Sequence, residues 1–493
     1  MCDPAAVKTR REFFANAIHA GSYLAFAQPA LARAPTGAGN VIATLTLIEL
    51  ARLLADGKVT SRQLVGQSLA ASKDPGGEGA RVFIRIHEAD AVAAADRIDA
   101  QRRAGVKLPP LAGIPLTVKD NFDEAGCVTL AGSTALAGTP AAARDSLVVQ
   151  RLKAAGAVII GRTNMTEFAY SGLGINPHYG TPRNVFDRVA SRLPGGSTSG
   201  GAISVTDAMA AGAIGTDTGG SLRIPAALNG LVGFKPTAHR VPLEGVLPLS
   251  TTLDSAGPIA HSVADCALLD QVLAGETEDF RPVDNVRGLR FAVPTTVFHD
   301  DLSAGVAAAF SASLSRLSAA GANIVELPMA EFARAADVNP RGVISSAEAF
   351  RWHRRLIDTA AGKYDPRVIV RIRPGEAVSD ADYRELLRQR QRFVQDIEAA
   401  AHGYDAMLMP VTADTAPTIS EVLASDESYF RFNGRMLRNP ALVNLFDGCA
   451  LSVPCHAAGS APVGLMIAGT RNADRRLLAI GHAIEQMVAP QRR

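Results

Sequence analysis

The chain has 493 residues, 47% hydrophobic and 20% charged, which excludes a mainly disordered or fibrous protein and supplies enough apolar surface for a large core. Fifty basic residues against 48 acidic ones leave a formal charge of +2, far from the basic excess of a nucleic-acid binder. Only eight of the basic residues are lysines, so a lysine in an apolar segment stands out, because arginine does not give up its proton to act as a base.

In chain order, Thr9-Arg10-Arg11-Glu12-Phe13-Phe14 precedes a mildly apolar stretch, Ala15 to Ala27, and then the small-residue patterns Ala30-Leu31-Ala32 and Ala32-Arg33-Ala34. This order resembles a Tat-type export signal over residues 1–32 with cleavage near 32–34, and predicts a periplasmic or secreted protein; without export the chain is cytoplasmic. The alternative is an amphipathic first helix, which Gly21, Ser22 and His19 weaken while also making the stretch too polar to span a bilayer. Thr46 with Glu49 and Thr60 with Gln63 have capping-box spacing, so two short helices follow. An alanine-rich helix is expected from Ala89 to Arg103, ended by Gly105. Leu111 to Val118 reads as a buried strand ending at Lys119, and Asp145 or Ser146 caps a helix through Ala155. Ala157-Val158-Ile159-Ile160 is a bare apolar strand of the kind a sheet covered on both faces requires.

Later strands are expected at Leu231–Phe234, Leu289–Val293, Ile324–Leu327, Ala406–Met409 and Val463–Ile467, with a helical, charge-rich region from about Val306 to Ala401. The economical architecture is a single large α/β/α domain over 35–490, with a mostly parallel or mixed central sheet and helices on both faces. Its catalytic core would span about 110–270 and a substrate-shaping helical region about 300–400, with a turn-rich stretch near 280 as the alternative boundary. Four cysteines after the signal (Cys127, Cys266, Cys449 and Cys455) are too few for a disulfide scaffold and are expected to be buried free thiols. The ten histidines form no H-E-x-x-H and no clustered Cys/His spacing, so neither a metal site nor a cofactor is expected.

The informative stretch is Pro194 to Pro236. Pro194-Gly195-Gly196-Ser197-Thr198-Ser199-Gly200-Gly201 packs four glycines and three hydroxyls into eight residues, the composition of a specially shaped loop that presents amides and hydroxyls. Gly215-Thr216-Asp217-Thr218-Gly219-Gly220-Ser221 follows, just before a helix start at Ile224-Pro225. Consecutive amides of Thr218, Gly219, Gly220 and Ser221 can converge on a developing oxyanion beside the Ser221 hydroxyl. A Walker nucleotide loop, a G-x-S-x-G elbow and an S-x-x-K motif are all absent from the sequence. On residue type alone, Lys119 and Lys235 are rival bases, Ser197 and Ser199 rival relays, Asp217 is expected to shape its loop, and Arg223 to brace it.

Gly113-Ile114-Pro115-Leu116-Thr117-Val118-Lys119-Asp120, the loop at 195–197, and Gly215 to Ser221 running on through Gly233-Phe234-Lys235-Pro236-Thr237 stand in one order. In this order they resemble the amidase signature hydrolases, closely over Leu111 to Pro236 and more loosely to Met466. The resemblance implies a Ser-cis-Ser-Lys triad with Ser221 as nucleophile, Ser197 as relay after a cis peptide, and Lys119 as base; the interval of 24 positions from Ser197 to Ser221 matches the family's spacing. Thr198 departs from the commoner serine of that motif, and Ala202-Ile203-Ser204-Val205 from its alanine-rich helix start. The chemistry implied is hydrolysis of a small carboxamide to acid and ammonia through an acyl-enzyme, with Lys119 rendered neutral by desolvation. Met165, Phe168, Tyr170 and Ser199 are expected beside the substrate, with Phe168 and Tyr170 equally readable as core residues, and with variable walls from 165–180 and parts of 300–460. The expected partner is a small amide, with no nucleic acid and no membrane beyond export, and a homodimer is compatible with it. Alternatives of the same resemblance are the amidase component of a tRNA-dependent amidotransferase and a hydrolase of a urea or carbamate derivative.

Overall fold

A computed structural model describes residues 40–490, so the export signal expected over 1–32 lies outside the described residues. Eleven strands form one sheet: β1 (Phe83–Ile86), β2 (Pro115–Lys119), β3 (Val158–Thr163), β4 (Gly212–Asp217), β5 (Val232–Lys235), β6 (Ser255–Ala260), β7 (Arg290–Pro294), β8 (Asn323–Leu327), β9 (Ala406–Pro410), β10 (Cys449–Pro454) and β11 (Gly464–Gly469). Their spatial order is β1-β3-β2-β4-β6-β5-β10-β11-β9-β7-β8. The sheet is mixed. β3-β2-β4 and β9-β7-β8 are parallel runs at the two sides, and the centre from β4 through β6, β5, β10 and β11 to β9 is antiparallel. Strands from before and after residue 280 share this sheet, because β5 pairs with β10.

Both capping boxes form, at Thr46 before Leu47–Ala55 and at Thr60 before Ser61–Lys73. The alanine-rich helix runs from Glu88 to Arg103, and Ser146 rather than Asp145 caps Leu147–Ala154. The strand expected from Leu111 begins only at Pro115, because Ala112 N donates to Pro109 O and Ile114 N to Leu111 O, which makes residues 109–114 a pair of turns. β4 and β6 lie at the centre of the sheet although Gly-Ala-Ile-Gly-Thr-Asp and Ser-Ala-Gly-Pro-Ile-Ala have poor strand composition. Proline lacks the N–H a ladder needs, and the ladder between β6 and β5 ends at Gly233 opposite Ile259, next to Pro258.

Alternation along β2 decides where the site lies. Leu116 and Val118 join the largest hydrophobic cluster, which the helices Leu47–Ala55, Leu147–Ala154, Val263–Ala274 and Asp474–Val488 also enter. Thr117 and Lys119 therefore project from the opposite face. There Thr117 Oγ1 lies 2.8 Å from Ser204 Oγ on the helix Ser199–Thr206, so the end of β2 and the glycine-serine loop before that helix meet. The region after residue 300 supplies the helices Ala304–Ala319, Val343–Ala360, Pro366–Ile372 and Asp380–Ala400.

Candidate active site

Lys119 ends β2 with no exposed surface, and its Nζ lies 2.8 Å from Ser197 Oγ and 2.8 Å from Thr216 Oγ1. Burial strips hydration from the ammonium and brings the lysine down to about 7, while the carboxylates of Asp254 and Asp217 pull the other way. The Gly196–Ser197 peptide is cis. Two glycines let the loop sit this deep. A Cβ at Gly196 would lie 2.5 Å from Gly174 N, and one at Gly215 would lie 2.5 Å from Thr198 Cγ2.

Ser221 joins this group through the backbone: its carbonyl accepts from Thr198 N at 3.2 Å, one residue from Ser197. Its side chain lines a cavity of about 450 Å³, and no hydrogen bond links the hydroxyls of Ser221 and Ser197 among the described residues. Lys235, the rival lysine, is also buried and brought down to about 8 by desolvation and then by Arg223. Its Nζ donates to Pro236 O and Gly448 O, each at 2.7 Å, which ties β5 to the start of β10 and reaches no serine. Ser199 Oγ is buried without a hydrogen-bond partner and is not on the cavity wall.

Asp217 shapes the loop before Ser221. Its carboxylate accepts from Gly220 N at 2.8 Å, Leu222 N at 3.1 Å and Arg223 Nη2 at 2.8 Å, and Asn444 Nδ2 adds a bond at 3.0 Å. Burial pushes this acid up, but the Arg223 guanidinium outweighs it and holds Asp217 well below the usual carboxylate range. Gly220 therefore differs from expectation: its amide is committed to Asp217 and is not free for an oxyanion. The amides of Thr218, Gly219 and Ser221 donate to no acceptor among the described residues. Thr218 Oγ1 in turn donates to Asp254, a buried acid that desolvation pushes up to about 6 and that also accepts from Leu249 N and Ser250 N.

Of the four residues expected beside the substrate, the structure puts only Tyr170 on the cavity wall. Met165 and Phe168 are core residues. Met165 is fully buried, and Phe168 packs its ring edge-on against His353 at 4.4 Å between centroids and lies 5.1 Å from Tyr364. Tyr170 is fixed by Ser346 Oγ at 3.0 Å from its hydroxyl, with the Arg371 guanidinium 4.4 Å from its ring. The rest of the wall comes largely from residues 332–345 and from the helix Asp426–Leu445, with Leu249 and Leu253 in addition. The four described cysteines, Cys127, Cys266, Cys449 and Cys455, are buried and free.

Sequence reasoning missed Thr216, Asp254 and Asn444, since their roles come from contacts to residues 97, 36 and 227 positions away. It also missed a buried group, His87, Glu124 and Cys127, whose donor atoms lie within 4.8 Å of one another. Glu124 there already has His87 Nε2 at 2.8 Å and the Lys153 ammonium at 3.4 Å, and the group shares no hydrogen bond with Lys119 or Ser197 among the described residues.

The Amidase family model matches residues 80–478. Among curated relatives, 2-amino-5-chloromuconic acid deaminase of Comamonas testosteroni is 36% identical over 404 residues, 81% of this chain and 87% of that protein. A glutamyl-tRNA(Gln) amidotransferase subunit of Symbiobacterium thermophilum is 33% identical over 481 residues, 90% of this chain and 96% of the relative. A solved amidase structure superposes with a TM-score of 0.81 at 33% identity, covering 90% of this chain and all of its own.

The frame under the loop makes a stability prediction. Arg223→Met leaves Asp217 buried with its main counter-charge gone, and should lower unfolding stability by about 3–5 kcal/mol in urea titration; a loss below about 1 kcal/mol would show that Asn444 and the amides suffice alone. With the family model covering most of its length and relatives matching nearly end to end, the chain belongs to the amidase family.

Proposed function

We propose that the chain hydrolyses the C–N bond of a small carboxamide through an acyl-enzyme on Ser221, with Ser197 as relay and Lys119 as base. The observation that carries this reading is the fully buried Lys119 amine, brought to about 7, at 2.8 Å from the Ser197 hydroxyl. A serine hydroxyl is a poor nucleophile until its proton has somewhere to go. Ser197 both donates and accepts, so it passes a proton from Ser221 to the lone pair of neutral Lys119 as Ser221 Oγ bonds to the amide carbon. The carbonyl oxygen becomes an oxyanion facing the free amides of Thr218, Gly219 and Ser221. Lys119 then returns the proton through Ser197 to the departing nitrogen, the C–N bond breaks, and ammonia leaves. Water attacks the ester by the same path in reverse and releases the acid.

The open distance between the two serine hydroxyls is compatible with this course, since catalytic hydrogen bonds often tighten only when substrate is bound. Ammonia release into solvent is favoured over delivery to a translation partner by the export signal expected over residues 1–32, and on this reading the activity belongs to the periplasm or the cell exterior. Ammonia production from simple amides by the isolated chain separates the two readings.

Ser221→Ala should remove turnover by at least about 10⁴-fold while the fold is retained, and a fluorophosphonate should label the parent protein at Ser221 only; undiminished turnover in the alanine variant would reject the nucleophile. Because Lys119 accepts a proton only when neutral, kcat/KM should rise with pH to a plateau, with the limb centred near 7. Lys119→Ala should lower the rate by about 10²–10⁴-fold and erase that limb. Asp254 raises the lysine by its charge, so Asp254→Asn should move the limb to lower pH, and a shift to higher pH would contradict the assigned electrostatics.

A further inference from the structure

The cavity that receives Ser221 has an uneven charge. Its wall carries three arginines, Arg341, Arg371 and Arg438, and no aspartate or glutamate among the described residues. None of the three forms an ion pair within the described residues. The acids that act on Arg438 from nearby are Asp300, Asp301 and Asp414. Asp301 and Asp414 are both taken by Arg435, whose Nη2 lies 2.8 Å from Asp414 Oδ1, and Asp300 is exposed.

Arg438 is anchored through its Nε, which donates to Asn439 Oδ1 at 3.1 Å, and its guanidinium has no carboxylate partner among the described residues. Arg371 is more constrained: one Nη donates to Tyr170 O and its guanidinium lies against the Tyr170 ring, which holds it at the wall. The wall also carries the leucines Leu249, Leu253, Leu437 and Leu442.

We infer that the cavity takes an amide whose far end bears a carboxylate, held by Arg438 with Arg341 or Arg371 while the carbonyl faces Ser221. This rests on the hydrolase reading above. A guanidinium fork matches a carboxylate in two parallel hydrogen bonds, and a single negative charge is offset by these cations without a multiply charged group having to enter apolar walls. The specificity follows from desolvation: a neutral far end would leave the cations of the wall unpaired, so the neutral analogue is rejected more strongly than loss of one contact suggests.

The test uses the full chain and the monoamides of succinic, glutaric and adipic acids, each beside its methyl ester, with ammonia release as the readout. At least one monoamide should exceed its ester tenfold or more in kcat/KM, and the ratio should shrink as salt is added. Arg438→Gln and Arg341→Gln should each reduce the ratio threefold or more, mainly through KM, and Arg438→Lys should recover part of it. Esters hydrolysed as well as the free acids across the series, or a ratio unmoved in both glutamine variants, would overturn the inference while leaving the hydrolase reading intact. If no amide is turned over, calorimetry of glutarate and adipate on the protein decides: binding lost in Arg438→Gln supports the anion site although the hydrolase reading fails, and absence of binding overturns it.

Discussion

A lysine buried without a carboxylate in contact cannot hold its charge as it does in water, and Lys119 is such a lysine. Its polar contacts are a serine hydroxyl, a threonine hydroxyl and a carbonyl. The two nearby acids act only at a distance, because Asp217 is bound to Arg223 and Asp254 to Thr218. Geometry keeps them there: β2 delivers the amine to the face opposite the main core, and the cis-linked serine is brought over it by a loop that only glycine can close. A direct salt bridge to either acid would restore the ammonium.

The same two acids serve a second purpose. Asp217 fastens the Gly220 and Leu222 amides, and Asp254 fastens Thr218, so the turn before Ser221 is held from both sides with the amides of Thr218, Gly219 and Ser221 left over. Donors aimed in advance at a developing charge need no reorganisation when it forms. Asn444, from the helix Asp426–Leu445, reaches both Arg223 and Asp217, and Lys235 reaches Gly448 O. The late part of the chain thus carries part of the frame for a loop that lies more than two hundred positions earlier.

Much of this is legible in the sequence because it is local. The glycine-serine loop, the Gly215–Ser221 turn and Lys119 at the end of an apolar run are contiguous patterns, and capping boxes at Thr46 and Thr60 are read from four residues. The strands β4 and β6 are not legible, because small residues and Pro258 carry little strand signal and owe their place to pairing on both sides. Met165 and Phe168 read as pocket residues because an aromatic near a catalytic segment serves a cavity or a core equally well; His353 and Tyr364, from a distant helix and the turn after it, claim Phe168 for the core. Gly220 reads as an oxyanion donor because its neighbours do, and only the Asp217 contact shows its amide in use. Asp254, Thr216 and Asn444 carry no motif that links them to the site.

The neutrality of Lys119 is the claim on which the rest turns, and it is directly measurable. With eight lysines in the chain, ¹⁵N-labelled lysine and a Lys119→Arg control allow the Nζ resonance of Lys119 to be assigned and titrated. The account requires a midpoint near 7, against 10.5 for an ordinary lysine. A midpoint at about 10 or above, the ordinary lysine range, would mean a lysine that stays charged at neutral pH, and the proton path through Ser197 would have no acceptor.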